Sequence, residues 1–235
     1  MLEINKIHCM DCLEGMKQIP DNSIDLIVTD PPYNQGISTC YGTSKHKKPK
    51  KCDWDKNFDI KPFFKEFKRI IKNNGMIYIF CNQHNMNDLP KSNLILVWDK
   101  KDYDVGDTRI WSCSHEFIKI YKFGIANFKY NKRPRGILRF NKVQNAASEE
   151  FKKGIFRNCQ EHPTQKPIAL IRHIIKFHNV NLILDPFMGS GTTAVACKQL
   201  NRNFIGFELS QEYVDIANKR LAQENLKEWF DNGKD

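Results

Sequence analysis

The sequence has no apolar run approaching the roughly 20 residues that a bilayer-spanning helix needs. An integral helical membrane protein is thereby excluded. The first residues also lack the basic, apolar and small-residue order of a secretory signal, so a cytoplasmic protein is expected. Cys9-Met10-Asp11-Cys12 has the spacing of a metal or redox half-site and adjoins His8, but no second half-site of comparable spacing follows. No metal is expected, and the 8 cysteines read as free thiols rather than a disulfide framework. Acidic charge is short as well: 27 Asp and Glu face 37 Lys and Arg, a net charge of +10 with a pI near 9.1. That balance favours a polyanionic partner, because clustered cations gain free energy by releasing counterions condensed on phosphates.

The positive charge is concentrated. Lys45, Lys47, Lys48, Lys50 and Lys51 form one run around His46. Lys129, Lys132, Arg133, Arg135 and Arg139 form a second that ends at Lys142, with Tyr130 and Phe140 interleaved. Both are candidate nucleic-acid contacts, where such residues set register on phosphates. A chain of 235 residues suits one α/β domain spanning 1–235 with a sizeable core. Within it, 34–57 shows little hydrophobic periodicity and reads as a flexible basic loop, either functional or a solvated linker. Residues 124–160 are polar, basic and aromatic, and read as an excursion from the sheet.

Strands are expected at Ile4–Cys9, Ile24–Thr29, Met76–Phe80, Leu94–Trp98, Phe117–Tyr121, 182–184 and Phe204–Phe207. Leu94–Trp98 and Phe117–Tyr121 are read as an antiparallel pair, since no helical crossover separates them. Helices are expected at Leu13–Ile19, at Phe63 to Ile71, where Phe64, Phe67 and Ile70 repeat at helical spacing, at Ile168 to Ile175, at Thr192–Gln199 and at Tyr213–Leu221. Asn73-Asn74-Gly75 is read as the stop of the second helix, and its aromatics as core. Trp111, His115 and Glu116 lie between the paired strands, where structural and chemical roles are both open.

Two strand ends carry chemistry. After the apolar run 24–28 comes Thr29-Asp30-Pro31-Pro32-Tyr33, a stiff loop that presents an acceptor pair and a flat ring. After 182–184 comes Asp185-Pro186-Phe187-Met188-Gly189-Ser190-Gly191-Thr192-Thr193, a glycine turn opening a helix, then a strand with Glu208 at its tip. That is a nucleotide-handling βαβ unit, the acid lying near the offset at which it meets ribose hydroxyls. A phosphate-binding loop would need a lysine, and none occurs between Asp185 and Thr193; a dinucleotide fingerprint would need GxGxxG. The reading left is S-adenosylmethionine, which offers an ammonium, a sulfonium and a ribose rather than phosphates. Carboxylates suit those groups, and glycines let the backbone approach.

With these motifs in this order, the chain resembles an amino-methylating DNA methyltransferase of the circularly permuted β class, the N6-adenine and N4-cytosine family of restriction–modification systems. The resemblance covers the Asp11 segment, Asp30 to Tyr33, the Gly75 to Phe80 strand, His115-Glu116, His162 to Pro167, Asp185 to Thr193, and Phe207-Glu208 with Tyr213 and Arg220. It implies a Rossmann-like, mostly parallel twisted sheet with helices on both faces. It implies that Asp185, Phe187, Gly189, Ser190, Gly191 and Thr192 line the cofactor, with Glu208 on its ribose, Asp11 near its adenine and Lys166 near its methionine portion. Met10 stands where glycine is common in the family, a departure that bears on Asp11. The loop 34–57 and the excursion 124–160 would contact double-stranded DNA, the latter as a target-recognition element. Relatives dimerise and work beside a cognate restriction endonuclease; both are expectations by analogy.

The chemistry follows from the substrate. An exocyclic amine is a poor nucleophile because its lone pair is delocalised into the ring. Ionised Asp30 and the carbonyl of Pro31 would accept its two hydrogens and aim the lone pair at the methyl carbon, with Pro31 and Pro32 holding the acceptors in place. Tyr33 would stack on a base flipped out of the duplex. Aspartate at position 30 leans towards adenine N6, with cytosine N4 as the alternative. A non-catalytic DNA-binding protein on the same fold is the other class, and intact Asp30, Tyr33 and glycines speak against it. Relatives that methylate RNA or protein glutamine more often carry Asn at position 30 and an unpermuted order.

Overall fold

A computed structural model describes residues 2–34, 58–101, 114–125, 128, 134–143 and 165–222. Its strands are β1 (Lys6–Cys9), β2 (Ile24–Thr29), β3 (Ile71–Cys81), β4 (Leu94–Asp99), β5 (His115–Lys122), β6 (Ile137–Arg139), β7 (Leu182–Asp185) and β8 (Asn203–Glu208). Its helices are α1 (Cys12–Met16), α2 (Lys61–Ile70), α3 (Ile168–Lys176), α4 (Thr192–Gln199) and α5 (Gln211–Ala222). The strands form one sheet in the order β1-β8-β7-β2-β3-β5-β4-β6. Only β5 runs against its neighbours, pairing antiparallel with both β3 and β4.

Alternation along the strands divides the core into two layers. Leu26, Val28, Met76, Tyr78 and Phe80 face α3, α4 and α5, while Ile27, Ile77, Ile79 and Cys81 face α1 and α2. In α2 the residues Phe64, Phe67 and Ile70 recur every third position and are buried. Removing the Phe67 ring would cost about 3–5 kcal/mol, the usual range for a buried aromatic. Helix α4 differs: its small residues Ala194, Ala196 and Cys197 are buried along with Thr192, Thr193 and Val195. Only Lys198 in its last turn is exposed, because α3, α5 and the sheet enclose the rest.

Three expectations are corrected. Helix α1 stops at Met16 rather than Ile19. Asn73-Asn74-Gly75 does not end α2, which stops at Ile70 and passes directly into β3. Gly75 lies within that strand, where a Cβ would come within 2.7 Å of the Ile71 side chain and 3.0 Å of the Asp25 carbonyl oxygen; close packing, not a helix stop, explains it. The excursion also carries a strand that periodicity missed: β6 has three residues and adds in parallel to β4. The antiparallel pairing of β4 and β5 is as expected. Among the described residues no helix is long and apolar enough to cross a membrane.

Candidate active site

Strands β2 and β7 lie side by side, but their crossovers depart in opposite directions: β2 leads through α2 to β3, and β7 leads through α4 to β8. Where crossovers diverge, the carboxyl ends of the strands leave a crevice, the usual ligand position in an open α/β sheet. The Thr29 hydroxyl at the end of β2 donates to Asp185 Oδ1 at the end of β7 at 2.9 Å, joining the two loops across that crevice. Asp185 also accepts from the Phe187 backbone N–H at 3.1 Å and from the Thr193 hydroxyl at 2.6 Å. Burial outweighs these bonds and raises its carboxyl to about 6.

On the β7 side the glycine turn is shaped by two left-handed residues, Gly189 at φ +52° and Gly191 at φ +83°. At Gly191 a Cβ would also sit 2.6 Å from the Ala217 Cβ, so the turn excludes a side chain there twice over. Glu208 accepts from the Gly189 N–H at 2.9 Å and from the Ser210 N–H at 2.8 Å, which ties the tip of β8 to the turn. Ser190 donates to Gln165 Oε1 and accepts from buried Arg220. Three rings close this end: Phe187 lies 5.4 Å from Phe58 and 5.3 Å from Phe63, centroid to centroid. Phe63, read from the sequence as core, is only partly buried and lines the cavity. Asp11 lines it too, and its Oδ1 caps α1 through the N–H groups of Leu13 and Glu14.

On the β2 side the polar groups are charged. Tyr33 donates its hydroxyl to Asp30 Oδ1 at 2.6 Å, and Lys166 Nζ reaches Asp30 Oδ2 at 2.5 Å. Glu116, at the start of β5, accepts from Lys166 at 3.3 Å and from Lys100 at 3.1 Å. Lys166 thus stands between two carboxylates, a place the sequence did not indicate for it. Burial raises the Asp30 carboxyl against the pull of Lys166, and Glu116 adds to the rise. For Glu116 itself burial is outweighed by Lys166 and Lys100, so its carboxyl sits below the usual range. Burial and both neighbouring carboxylates hold the Tyr33 phenol neutral.

Both sides open into one cavity of about 700 Å³, lined by Asp30 to Tyr33 at one end and by Asp185 to Ser190 with Glu208 at the other. Lys100 and Phe58 line the cavity without having been singled out in the sequence, while Glu116, whose role was left open, and Gln165, named only within the His162 to Pro167 segment, line it too. Of the basic candidates, Lys45, Lys47, Lys48, Lys50, Lys51, Lys129, Lys132 and Arg133 lie outside the described residues, as do Trp111 and His162. Arg135 is exposed, and Arg139 is exposed and paired with Asp99 at 3.1 Å. The CxxC pair is split, with Cys9 exposed and Cys12 buried.

The sheet order, the switch-point cavity and the order of its two loops define a Rossmann-like S-adenosylmethionine-dependent methyltransferase fold with circularly permuted motifs. A family model described as DNA methylase matches residues 24–127 and 123–219. The chain belongs to that family and is an amino-methylating DNA methyltransferase. It is 31% identical over 243 residues to the type II methyltransferase M.HpaI of Haemophilus parainfluenzae, covering 93% of this chain and 74% of that protein. It is 32% identical to M1.MboII of Moraxella bovis, covering 95% and 98%. Among solved structures, the M1.HpyAVI–SAM complex aligns with a TM-score of 0.66 at 27% identity, over 92% of this chain and 98% of that one. The cytosine-N4-specific PvuII DNA methyltransferase aligns with a TM-score of 0.67 over 93% and 86%; at 16% identity the likeness concerns the fold alone.

Proposed function

We propose that this enzyme transfers a methyl group from S-adenosylmethionine to the N6 amine of adenine in double-stranded DNA, acting on a flipped base. The observation that carries the reading is that one cavity joins the Asp30 loop to the glycine turn. The donor set fits the cofactor: three phenylalanine rings suit a flat adenine, Glu208 lies at the strand tip, and the turn holds no lysine for phosphates. Phe187, Gly189, Ser190, Gly191, Thr192 and Glu208 would hold it, with Asp11 beside them. Asp185 would act from behind by fixing the turn. When bound, the cofactor supplies an electrophilic methyl group. Asp30, whose ionised form Lys166 favours against burial, and the Pro31 carbonyl would accept the two amine hydrogens; each carboxylate oxygen has a second lone pair beyond those Tyr33 and Lys166 occupy. These acceptors would aim the amine lone pair at that methyl group, and the proton the amine gives up on methylation would pass to solvent by way of the Asp30 carboxylate. Tyr33 offers its ring for stacking.

Aspartate at position 30 favours adenine; cytosine N4 is the second reading, since both amines are conjugated and meet the same acceptors. The further parts of the reading are a single domain with a DNA-contacting loop at 34–57, a target-recognition excursion at 124–160 including Arg135 and Arg139, a homodimer, a cytoplasmic location and a cognate endonuclease. Methylation of unmethylated genomic DNA in vitro, followed by nucleoside analysis and sequencing of modified sites, tests base and target together. N6-methyladenine is expected; N4-methylcytosine as sole product would replace the first reading with the second.

A further inference from the structure

Behind Asp30 lies a second acid for which the transfer chemistry has no use. Glu116 and Lys100 are nearly buried, with side chains 14% and 10% exposed. Buried ion pairs rarely stabilise a fold over apolar residues of the same volume, so their presence in a cavity wall calls for another reason. Chain direction supplies the opportunity. Because β5 is antiparallel to β3, with Phe117 opposite Cys81, its first residues arrive at the same sheet edge as the end of β2.

We propose that Glu116, braced by Lys100, is a positioning residue for Asp30 and acts through Lys166 and Tyr33; this rests on Asp30 being the amine acceptor. Both donors that hold Asp30 also touch Glu116. The Tyr33 hydroxyl is 2.6 Å from Asp30 and 3.2 Å from Glu116, and the Lys166 ammonium is 2.5 Å and 3.3 Å from the same two groups. The one hydroxyl hydrogen is given mainly to the nearer acceptor, Asp30, and shared with Glu116, whose weaker pull fixes the direction in which the hydroxyl points. The lysine stem has four rotatable bonds, and a second carboxylate fixes its end. Asp30 is then gripped at both oxygens, its plane cannot turn, and its free lone pairs point in one direction. Among the described residues of this cluster two carboxylates face two ammonium groups, so Lys166 does not carry the charge of Glu116 alone.

Single-turnover transfer of labelled methyl to unmethylated phage DNA, with calorimetric cofactor affinity, tests this on Glu116→Gln, Glu116→Ala and Asp30→Ala. Glu116→Gln should slow transfer about tenfold and Glu116→Ala about a hundredfold, the scale of an ångström of misplacement, with cofactor affinity unchanged within about twofold. The groups facing Asp30 are Tyr33 on its own loop, Lys166 before α3, Glu116 on β5, Lys100 after β4, Asp185 on β7 and the neutral Cys81 thiol on β3, with Lys119 of β5 beyond that thiol. Since the Glu116 charge raises Asp30, Glu116→Gln should also move the acid limb of the rate profile to lower pH. Wild-type rate in Glu116→Gln, or a slower rate with an unmoved acid limb, overturns the proposal. If Glu116→Ala does not fold, Glu116→Gln alone decides. Wild-type turnover in Asp30→Ala would instead overturn the acceptor reading, whatever Glu116 does.

Discussion

On the glycine-turn side of the cavity, most polar groups are fixed by near neighbours: Glu208 holds Gly189, 19 positions away, and Asp185 holds Phe187 and Thr193, with Thr29 its partner from across the crevice. The Asp30 side is held from afar. Lys166 is 136 positions from Asp30, and Glu116 is 83 from Tyr33. The first side relies on backbone N–H groups and hydroxyls, the second on full charges. A turn made of backbone can approach a neutral ribose or a sulfonium without repelling it. A loop that must keep one carboxylate anionic and immobile in a buried wall needs ammonium partners.

The sharpest way to break that comparison is to remove one function and spare the other. Asp30→Ala should reduce methyl transfer by about a thousandfold, the upper range for losing a preorganised polar group, while leaving cofactor binding nearly intact. The variant also leaves Lys166 with Glu116 as its remaining carboxylate partner, so a retained cofactor affinity doubles as the check on folding. Equal losses in transfer and cofactor binding would mean that the two sides are not separable.

Gly191→Val is the converse and somewhat smaller. The site has φ +83° and its Cβ would lie 2.6 Å from that of Ala217, so a valine forces the turn and α5 apart. Strain of about 1–3 kcal/mol for such a backbone predicts roughly tenfold to hundredfold weaker cofactor affinity. Calorimetry on the folded variant checks it; wild-type affinity would remove the turn from the cofactor site.

The same contrast explains what could be read from sequence. Asp185, Gly189, Gly191 and Glu208 lie in one βαβ unit, so spacing alone brought them together. Glu116 and Lys100 flank a stretch with no helical crossover, and nothing local shows that antiparallel β5 delivers them to Asp30. Phe63 was legible as an apolar helix residue, but its partner rings, Phe58 and Phe187, come from other segments. Strand β6 is three residues long and too short to show a period. Gly75 looked like a helix stop because a turn and a tight strand contact demand the same residue.

Asp185 belongs to both sides, and its titration gives the finest test. Buried beside two threonine hydroxyls and within the field of Asp30, its carboxyl lies near 6 in the folded chain against 3.8 when unperturbed. A raised carboxyl favours the folded state only while it is protonated. Its contribution is therefore complete below pH 3.8 and is lost as pH rises through about 6. Asp185→Asn keeps the shape and cannot ionise. Relative to wild type, the variant should gain on the order of 2–3 kcal/mol in unfolding free energy between pH 4 and pH 7, measured by denaturant titration without cofactor. The variant's absolute stability does not enter, since only the change with pH is compared. A difference flat to within about 0.5 kcal/mol across that range, the scatter expected of an unrelated site, would place the Asp185 carboxyl in its ordinary range. The Thr29 and Thr193 hydroxyls, with the Phe187 N–H, would then be strong enough to offset burial and hold it ionised through the acid range as well.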